Sequence, residues 1–328
     1  MPTLLMSLAL MLVPATVPAP PLATPPTASP QDPDCLDEKS SDGPCAEQMT
    51  FRNDAYERMT VKVHVGGTGP YRFLVDTGAD RSAVSSGLAD SLKLVRKASA
   101  TLHSATGISD VALVRVPRMD LEGRSVEGVD APVLQATDMG ADGILGVDSL
   151  RSQRIVIDFR NEEICLTPSL KSEPKLRKDE IVITGRLKKG HLIFTRAEVD
   201  GEEVTVVIDT GAQVSIGNFA LRDLLARHRK LGAPVPIEIK SVTGQMLSGN
   251  LHITRQIDLD GASVQNVAIM FADSETFRTI NRERAPTLLL GMNALRGFDE
   301  VAIDLDRKKL RLRFPSPELR PALAGPGG

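Results

Sequence analysis

Two aspartates stand at the head of the same four-residue motif, one in each half of the chain. Asp76 and Asp209 begin the two copies of D-T-G-A, at residues 76–79 and 209–212. If folding brings the two carboxyl groups within a few ångströms, they cannot both ionise cheaply, and they share one proton. The charged carboxylate then acts as a base toward water and the protonated carboxyl as an acid. Such a pair supports hydrolysis without a metal ion or a covalent nucleophile.

A strand pattern precedes each motif. Residues 61–65 alternate between apolar and polar, a Gly-rich turn follows, and the apolar run 71–75 leads into the first motif. Residues 195–199 alternate in the same way before the run 205–208 and the second motif. One D-T-G alone is weak evidence, because these residues are common in turns. Two copies, each delivered by a predicted hairpin, are a much stronger signal.

The similarity between the halves extends over more than a hundred residues. The matched segments are 104–107 with 241–244, 144–146 with 289–291, and 155–166 with 301–312. The offset between the copies rises from 133 (209 − 76) to 146 (304 − 158), so the second copy carries extra loop residues. Frequent turns between short alternating runs predict an all-β protein of two tandem barrels with few short helices. The helix candidates are residues 87–94 and 218–230, the second capped by Asn218.

These motifs resemble those of the retropepsin-like aspartic proteases over roughly residues 58–316. Residues 73–80 and 207–215 look like the family's catalytic turn, and each half repeats its later aliphatic-aliphatic-Gly strand. The sequence resembles a fusion of two lobes that each keep viral-type motifs, as in bacterial periplasmic members of this group. The resemblance implies two retropepsin-like β-barrel lobes related by pseudo-two-fold symmetry. It also implies an endopeptidase that cleaves extended peptides with water held between Asp76 and Asp209.

The resemblance assigns a role to each motif. Thr77 and Thr210 are expected to hydrogen-bond across the lobe interface. Gly78 and Gly211 let the backbone approach the carboxylates, where a Cβ would intrude. The remaining expected site residues are Ala79 and Ala212 in the catalytic loops, Thr106, Gly107, Thr243 and Gly244 in two flap hairpins, and Ile144, Leu145, Gly146, Leu289, Leu290 and Gly291 in the later strands.

Several positions depart from the family pattern. Neither flap candidate contains the Tyr of pepsin-like enzymes, and His103 beside the first flap has no family counterpart. Val147 and Met292 stand where viral enzymes have an Arg that forms an ion pair between subunits. Two alternatives therefore stay open. One is a non-catalytic peptide-binding module on the same fold, and the other is a homodimer whose lobes pair between chains. The linker at residues 171–180 favours pairing within a monomer.

The N-terminal region has the sequence features of an export signal. The apolar run 4–13 predicts a signal peptide over residues 1–23, although no Lys or Arg precedes it, and places the protein in the periplasm or outside the cell. The run is too short to span a bilayer. A Pro-rich tether follows over residues 24–55, in which Cys35 and Cys45 are expected to form a small disulfide loop. Cys165 is expected to be a buried small hydrophobe.

The predicted organisation is completed by an N-terminal lobe over residues 56–170, a C-terminal lobe over 181–316 and a flexible tail over 317–328. The chain carries a net charge of −3 and has 9 Phe, 2 Tyr and no Trp. This composition supplies neither a basic field for phosphates nor stacking platforms, so nucleic acid is excluded as a partner. The His and Cys residues have no metal-ligand spacing, so neither metal nor cofactor is expected. The expected partner is a peptide or protein substrate.

Overall fold

A computed structural model describes residues 3–5, 11–12, 49–50, 59–121, 124–169, 175–188 and 191–315. The predicted signal peptide, tether and C-terminal tail lie outside the described residues, apart from three short strands. These strands, of which only the backbone is described, are β1 Thr3–Leu5, β2 Met11–Leu12 and β3 Met49–Thr50.

The first half of the chain forms a closed barrel. Its strands are β4 Thr60–Val65, β5 Thr68–Val75, β6 Ala83–Ser85, β7 Val95–Ser104, β8 Gly107–Leu121, β9 Arg124–Leu134 and β10 Gly143–Leu145. Its helices are α1 Ser86–Ser91, α2 Ala136–Met139 and α3 Val147–Leu150. Six strands pair in the order β8-β4-β5-β10-β6-β9, and pairing of β8 with β9 closes the ring. Strand β7 pairs with β8 outside this ring and forms a projecting hairpin.

The second half repeats this arrangement. Its strands are β14 Arg186–Lys188, β15 His191–Val199, β16 Glu202–Ile208, β17 Ser215–Gly217, β18 Val235–Lys240, β19 Met246–Leu259, β20 Ala262–Phe271 and β21 Thr287–Leu290. Its helices are α4 Phe219–Arg227, α5 Glu275–Thr279 and α6 Met292–Leu295. The ring β15-β16-β21-β17-β20-β19 closes through β15 and β19, and the β18–β19 hairpin projects from it. The prediction of two tandem β-barrels is therefore confirmed.

A separate sheet joins the two barrels. Its remaining strands are β11 Gln153–Asp158, β12 Glu163–Pro168, β13 Glu180–Thr184, β22 Glu300–Asp304 and β23 Lys309–Arg313, in the order β13-β23-β22-β11-β12-β3. The β11–β12 hairpin of the first half meets the β22–β23 hairpin of the second edge to edge, with Ile155 opposite Ile303. One buried aliphatic cluster runs through both barrels and this sheet. This sheet therefore connects the two halves of the chain.

Local patterns explain the individual elements. Strand β4 alternates between buried and exposed residues, as a strand with one face on the core requires. Helix α4 begins after Asn218, whose side chain accepts a hydrogen bond from the Leu221 N–H at 2.9 Å, as predicted. Helix α1 is shorter than the predicted segment. It begins at Ser86 because Ser85 caps it by accepting from the Leu88 N–H at 3.1 Å.

Cys165 differs from its prediction in one respect. It lies in β12 and is buried, as expected, but it is disulfide-bonded and not a free apolar side chain. Cys35 and Cys45 lie outside the described residues, so the predicted bond between them stays a prediction.

Among the described residues, no helix has the length and apolar character needed to cross a membrane.

Candidate active site

The two motif aspartates occupy equivalent positions at the interface between the barrels. Asp76 follows the last residue of β5 and Asp209 the last residue of β16. The Asp76 N–H donates to the Leu145 carbonyl at 3.0 Å, and the Asp209 N–H donates to the Leu290 carbonyl at 3.1 Å. The later aliphatic-aliphatic-Gly strands therefore lie directly beside the strands that carry the aspartates. Both aspartates are buried, at 0% and 1% exposure.

The carboxyl groups contact each other and the two glycines. The side chains of Asp76 and Asp209 interact, and this interaction lowers the pKa of Asp209. The Gly78 N–H donates to Asp76 Oδ1 at 2.8 Å, and the Gly211 N–H donates to Asp209 Oδ1 at 3.0 Å. Each glycine also lies against the carboxylate of the other lobe. A Cβ on Gly78 would sit 2.6 Å from Asp209 Cγ, and one on Gly211 would sit 2.4 Å from Asp76 Cγ.

The motif threonines link the two loops. The Thr77 N–H donates to Thr210 Oγ1 at 3.0 Å, and the Thr210 N–H donates to Thr77 Oγ1 at 3.2 Å. Each hydroxyl then donates across the interface to the carbonyl that precedes the opposite aspartate. Thr77 reaches Ile208 at 3.1 Å and Thr210 reaches Val75 at 2.8 Å. Four reciprocal hydrogen bonds thus fix the relative position of the two carboxyl groups.

The electrostatics of the pair favour one bound proton. Burial raises the pKa of Asp209 to about 7, because a site without water disfavours the charged carboxylate. Hydrogen bonds from the Gly211 and Ala212 N–H groups, and the interaction with Asp76, oppose this rise. Two interacting carboxyls titrate as a unit, so the pair holds a single proton over a range of pH. One acid and one base are therefore present side by side.

Two serines that we did not single out in the sequence support the catalytic loops. Ser82 donates through Oγ to Asp148 Oδ1 at 2.7 Å, and Ser215 donates through Oγ to Asn293 Oδ1 at 2.8 Å. Each serine hydroxyl also accepts a backbone N–H from the glycine of the later strand motif, at 3.1 Å in both lobes. The signal was available, since the two serines are separated by 133 residues (215 − 82), as the aspartates are.

Asp148 and Asn293 occupy equivalent positions in the two lobes, but only Asp148 can ionise. Burial raises the pKa of Asp148, although hydrogen bonds from Ser82 oppose the rise. A raised folded-state pKa leaves stability unaffected below the unfolded-state value, and lowers it as pH rises and the buried group must ionise. We therefore expect Asp148→Asn to raise Tm at pH 7 by a few degrees, the effect of about 1 kcal/mol in a chain of this size, and to change it little near pH 3.

The reciprocal change is the control for that measurement. Asn293→Asp should lower Tm at pH 7 and have a smaller effect near pH 3, because it places an ionisable group in the same buried setting. Thermal unfolding followed by circular dichroism at the two pH values gives both numbers. Equal shifts in Tm at both pH values would show that the different effects of Asp148 and Asn293 on stability come from packing and not from ionisation.

The predicted flap segments lie at the tips of the two projecting hairpins. We call the β7–β8 hairpin the N-terminal flap and the β18–β19 hairpin the C-terminal flap. Gly107 and Gly244 have φ values of 147° and 81°, in the region that favours glycine. Thr106 Oγ1 donates to Gln245 Oε1 and is hydrogen-bonded to Ser241 Oγ, each at 2.9 Å, so the two flap tips contact each other.

The flap tips also enter the opposite barrels. Ala105 of the N-terminal flap is fully buried in an apolar cluster of the second barrel that includes Ala212. Val242 of the C-terminal flap is buried in a cluster of the first barrel that includes Ala79. Ala79 and Ala212 follow the two D-T-G triplets, so each flap tip shares an apolar cluster with the catalytic loop of the other lobe. The described residues contain no group of three or more His, Cys, Asp or Glu that fits a metal ion.

Two closed β-barrels that each contribute one buried carboxyl group to a shared pair define an aspartic-protease type of fold and site. The comparisons with known families agree. Residues 61–152 match a family described as "gag-polyprotein putative aspartyl protease", and residues 195–294 match one described as "Aspartyl protease". Together the matches cover more than half of the chain, which belongs to the retropepsin-like aspartic proteases as a member with two lobes. A search of curated proteins finds no match to this chain.

Proposed function

We propose that the protein is an endopeptidase that hydrolyses extended polypeptides with a water molecule activated between Asp76 and Asp209. The observation that carries this proposal is the pair of buried carboxyls at the barrel interface, each lying against the glycine of the opposite motif, with the pKa of Asp209 raised to about 7. Such a pair is an acid and a base at the same pH. A module that only binds peptides does not require a pair of carboxyls that share a proton.

The proposed mechanism starts with the shared proton on Asp209, whose pKa is raised by burial, and with Asp76 charged. Asp76 takes a proton from water as the water oxygen bonds to the carbonyl carbon of the substrate, and Asp209 gives its proton to the carbonyl oxygen. The resulting diol collapses when its C–N bond breaks. The nitrogen takes the proton held by Asp76, and a diol hydroxyl returns its proton to Asp209. The pair thus ends in its starting state.

The flap hairpins support an extended substrate. The outer edge of β7 pairs in parallel with residues 3–5 of the chain itself, and the outer edge of β18 pairs with residues 11–12. Strand edges that accept such segments bind peptides through main-chain hydrogen bonds. The edge-to-edge sheet between the halves supports a monomer in which the two lobes pair within one chain.

Incubation of the purified protein with a diverse peptide library tests the proposal. Mass spectrometry should find internal cleavage products, and pepstatin-type or viral-protease-type inhibitors should suppress them. The Asp76→Asn variant is the matched control and should yield no products. Bound but uncleaved peptides in both proteins would instead identify a peptide-binding module. Loss of activity on dilution, with a dimeric mass for the active species, would favour lobe pairing between chains.

The pH dependence of the reaction follows from the shared proton. Because the pKa of Asp209 is raised to about 7, the one-proton state is lost as pH rises through neutrality, and kcat/KM should fall above about pH 7. The optimum should lie in the mildly acidic to near-neutral range. Ala79 and Ala212 have no hydroxyl to donate to the carboxylates, and a donor would favour the charged form and lower the pKa. The double change to Ser should therefore move the alkaline limb toward acid.

A kcat/KM profile from pH 3 to 9 measures this shift. The Ser variants must first show an unchanged Tm, since both alanines are fully buried. A maximum below about pH 4, or a limb that stays in place in the double variant, would show that another interaction sets the protonation of the pair.

A further inference from the structure

Two ion pairs cross from the flaps to the opposite lobes. His103 on β7 lies with Nδ1 3.2 Å from Glu275 Oε1 at the start of α5. Lys240 at the end of β18 lies with Nζ 2.6 Å from Asp138 Oδ1 on α2. Both pairs are partly buried, with side-chain exposures of 20% and 15% in the first and 31% and 15% in the second. They are therefore less screened by solvent than ordinary surface pairs.

The two pairs are equivalent under the internal repeat. Residues 103 and 240 are separated by 137 positions (240 − 103), and residues 138 and 275 by the same 137 (275 − 138). The flap glycines Gly107 and Gly244 share this spacing. In each case a basic residue before one flap tip meets an acidic residue on the short helix that follows the flap-bearing strands of the other lobe. The same contact is made twice, once with histidine and once with lysine.

Further contacts place both pairs at the point where the flaps close. The Ala105 carbonyl accepts hydrogen bonds from the Glu275 N–H and from Ser274 Oγ, each at 3.0 Å. On the other side, a Cβ on Gly244 would lie 2.7 Å from Asp138 Oδ2, so this flap turn rests on the acidic side chain. Both aspartates of the pair are buried, and the tip residues Ala105 and Val242 lie in the apolar clusters that contain Ala212 and Ala79 of the catalytic loops. Movement of the tips is therefore the route by which a peptide would reach the carboxyls.

We propose that His103–Glu275 and Lys240–Asp138 are two latches that hold the flaps closed over the carboxyl pair, and that only the His103 latch weakens as pH rises. The four residues are positioning residues, since they act through the flaps and touch neither the water nor the carboxyl pair. The effect on turnover rests on the proposed function. The latching contacts themselves do not.

The charged groups around His103 give the direction of the pH effect. Glu275 also accepts from Arg278, which in turn pairs with Asp273, and Asp110 lies across the hairpin. A histidine loses its charge between about pH 5 and 8, whereas a lysine keeps it throughout. A neutral histidine makes a weaker hydrogen bond to a carboxylate than a charged one. The N-terminal flap is therefore latched at acidic pH and released toward alkaline pH.

Hydrogen exchange tests the latch without turnover. The Glu275 amide, which donates to the flap carbonyl of Ala105, reports on closure and is followed in the full chain carrying Asp76→Asn. After correction for intrinsic rates, its protection should fall about fivefold from pH 5 to pH 7.5, the size expected for loss of a partly buried ion pair. His103→Lys should remove this dependence by keeping the amide protected, and Glu275→Gln should remove it by leaving the amide exposed at both pH values.

Kinetics on the active protein give the second readout. Because a closed flap keeps the peptide out, His103→Gln should lower KM about fivefold at pH 5, leave it unchanged at pH 7.5 and leave kcat nearly constant, whereas Lys240→Gln should lower KM equally at both pH values. The exchanged pair Lys240→Asp with Asp138→Lys should restore KM. Equal protection of the Glu275 amide at both pH values, or an unaltered dependence in His103→Lys, would overturn the latch. Absence of cleavage with the expected exchange pattern would overturn only the peptidase assignment.

Discussion

Asp76→Asn and Asp209→Asn should each lower kcat by about 10⁴-fold or more, and the double variant should be little worse than either single one. Asparagine keeps the shape and the hydrogen bond from the neighbouring glycine, but it neither takes nor gives a proton at these pH values. Because the two carboxyls hold one proton between them, removal of either ends both roles. The effects are therefore far from additive, as for groups that act as a unit.

The matched control for this series is Asp130→Asn. Asp130 lies in the first barrel with a side chain 41% exposed and pairs with Arg115 at 2.9 Å, away from the carboxyl pair. Its loss should change kcat and Tm little. Tm of the two active-site variants should stay at or above that of the parent, since each removes a buried carboxyl. Substantial turnover by either single variant would show that the two lobes do not share one catalytic site.

Gly78→Ala and Gly211→Ala should each lower kcat by about 10²- to 10³-fold, the cost of displacing a catalytic group by about 1 Å. The added methyl group would lie 2.6 Å from Asp209 Cγ in the first variant and 2.4 Å from Asp76 Cγ in the second. Neither glycine has a positive φ, so the penalty comes from contact and not from backbone strain. The methyl group pushes away the carboxyl of the opposite lobe and separates the pair.

Two other glycines provide the comparison. A Cβ on Gly87 in α1 or on Gly232 meets nothing within 4 Å, and neither residue has a positive φ. Gly87→Ala and Gly232→Ala should therefore keep parental activity, and the first should add stability through its better helix propensity. Steady-state kinetics and Tm of all four variants show whether the loss of activity is specific to the two glycines that contact the carboxyls. Parental kcat in Gly211→Ala would show that the reaction still proceeds when the two carboxyls are pushed apart. That result would contradict the proposed proton transfer.

The local elements of this protein are readable from its sequence. Alternation in β4 and the apolar run before Asp76 predict the hairpin that delivers the first motif, and the capping residue Asn218 predicts the start of α4. The repeat of these patterns predicts the second barrel and pairs the two aspartates. Such features are readable because strand alternation and capping depend on neighbours within a few positions.

The contacts between the lobes were decided only by the tertiary structure. The sequence gives no sign that Ala105 and Val242 cross into opposite barrels, that His103 meets Glu275, or that Cys165 forms a disulfide. The contacts of Ala105, Val242 and His103 join residues far apart in the chain and depend on how the β11–β22 sheet orients one barrel against the other. Periodicity records which face of a strand is buried. It does not indicate which distant element covers that face, because many different partners bury the same side chain equally well.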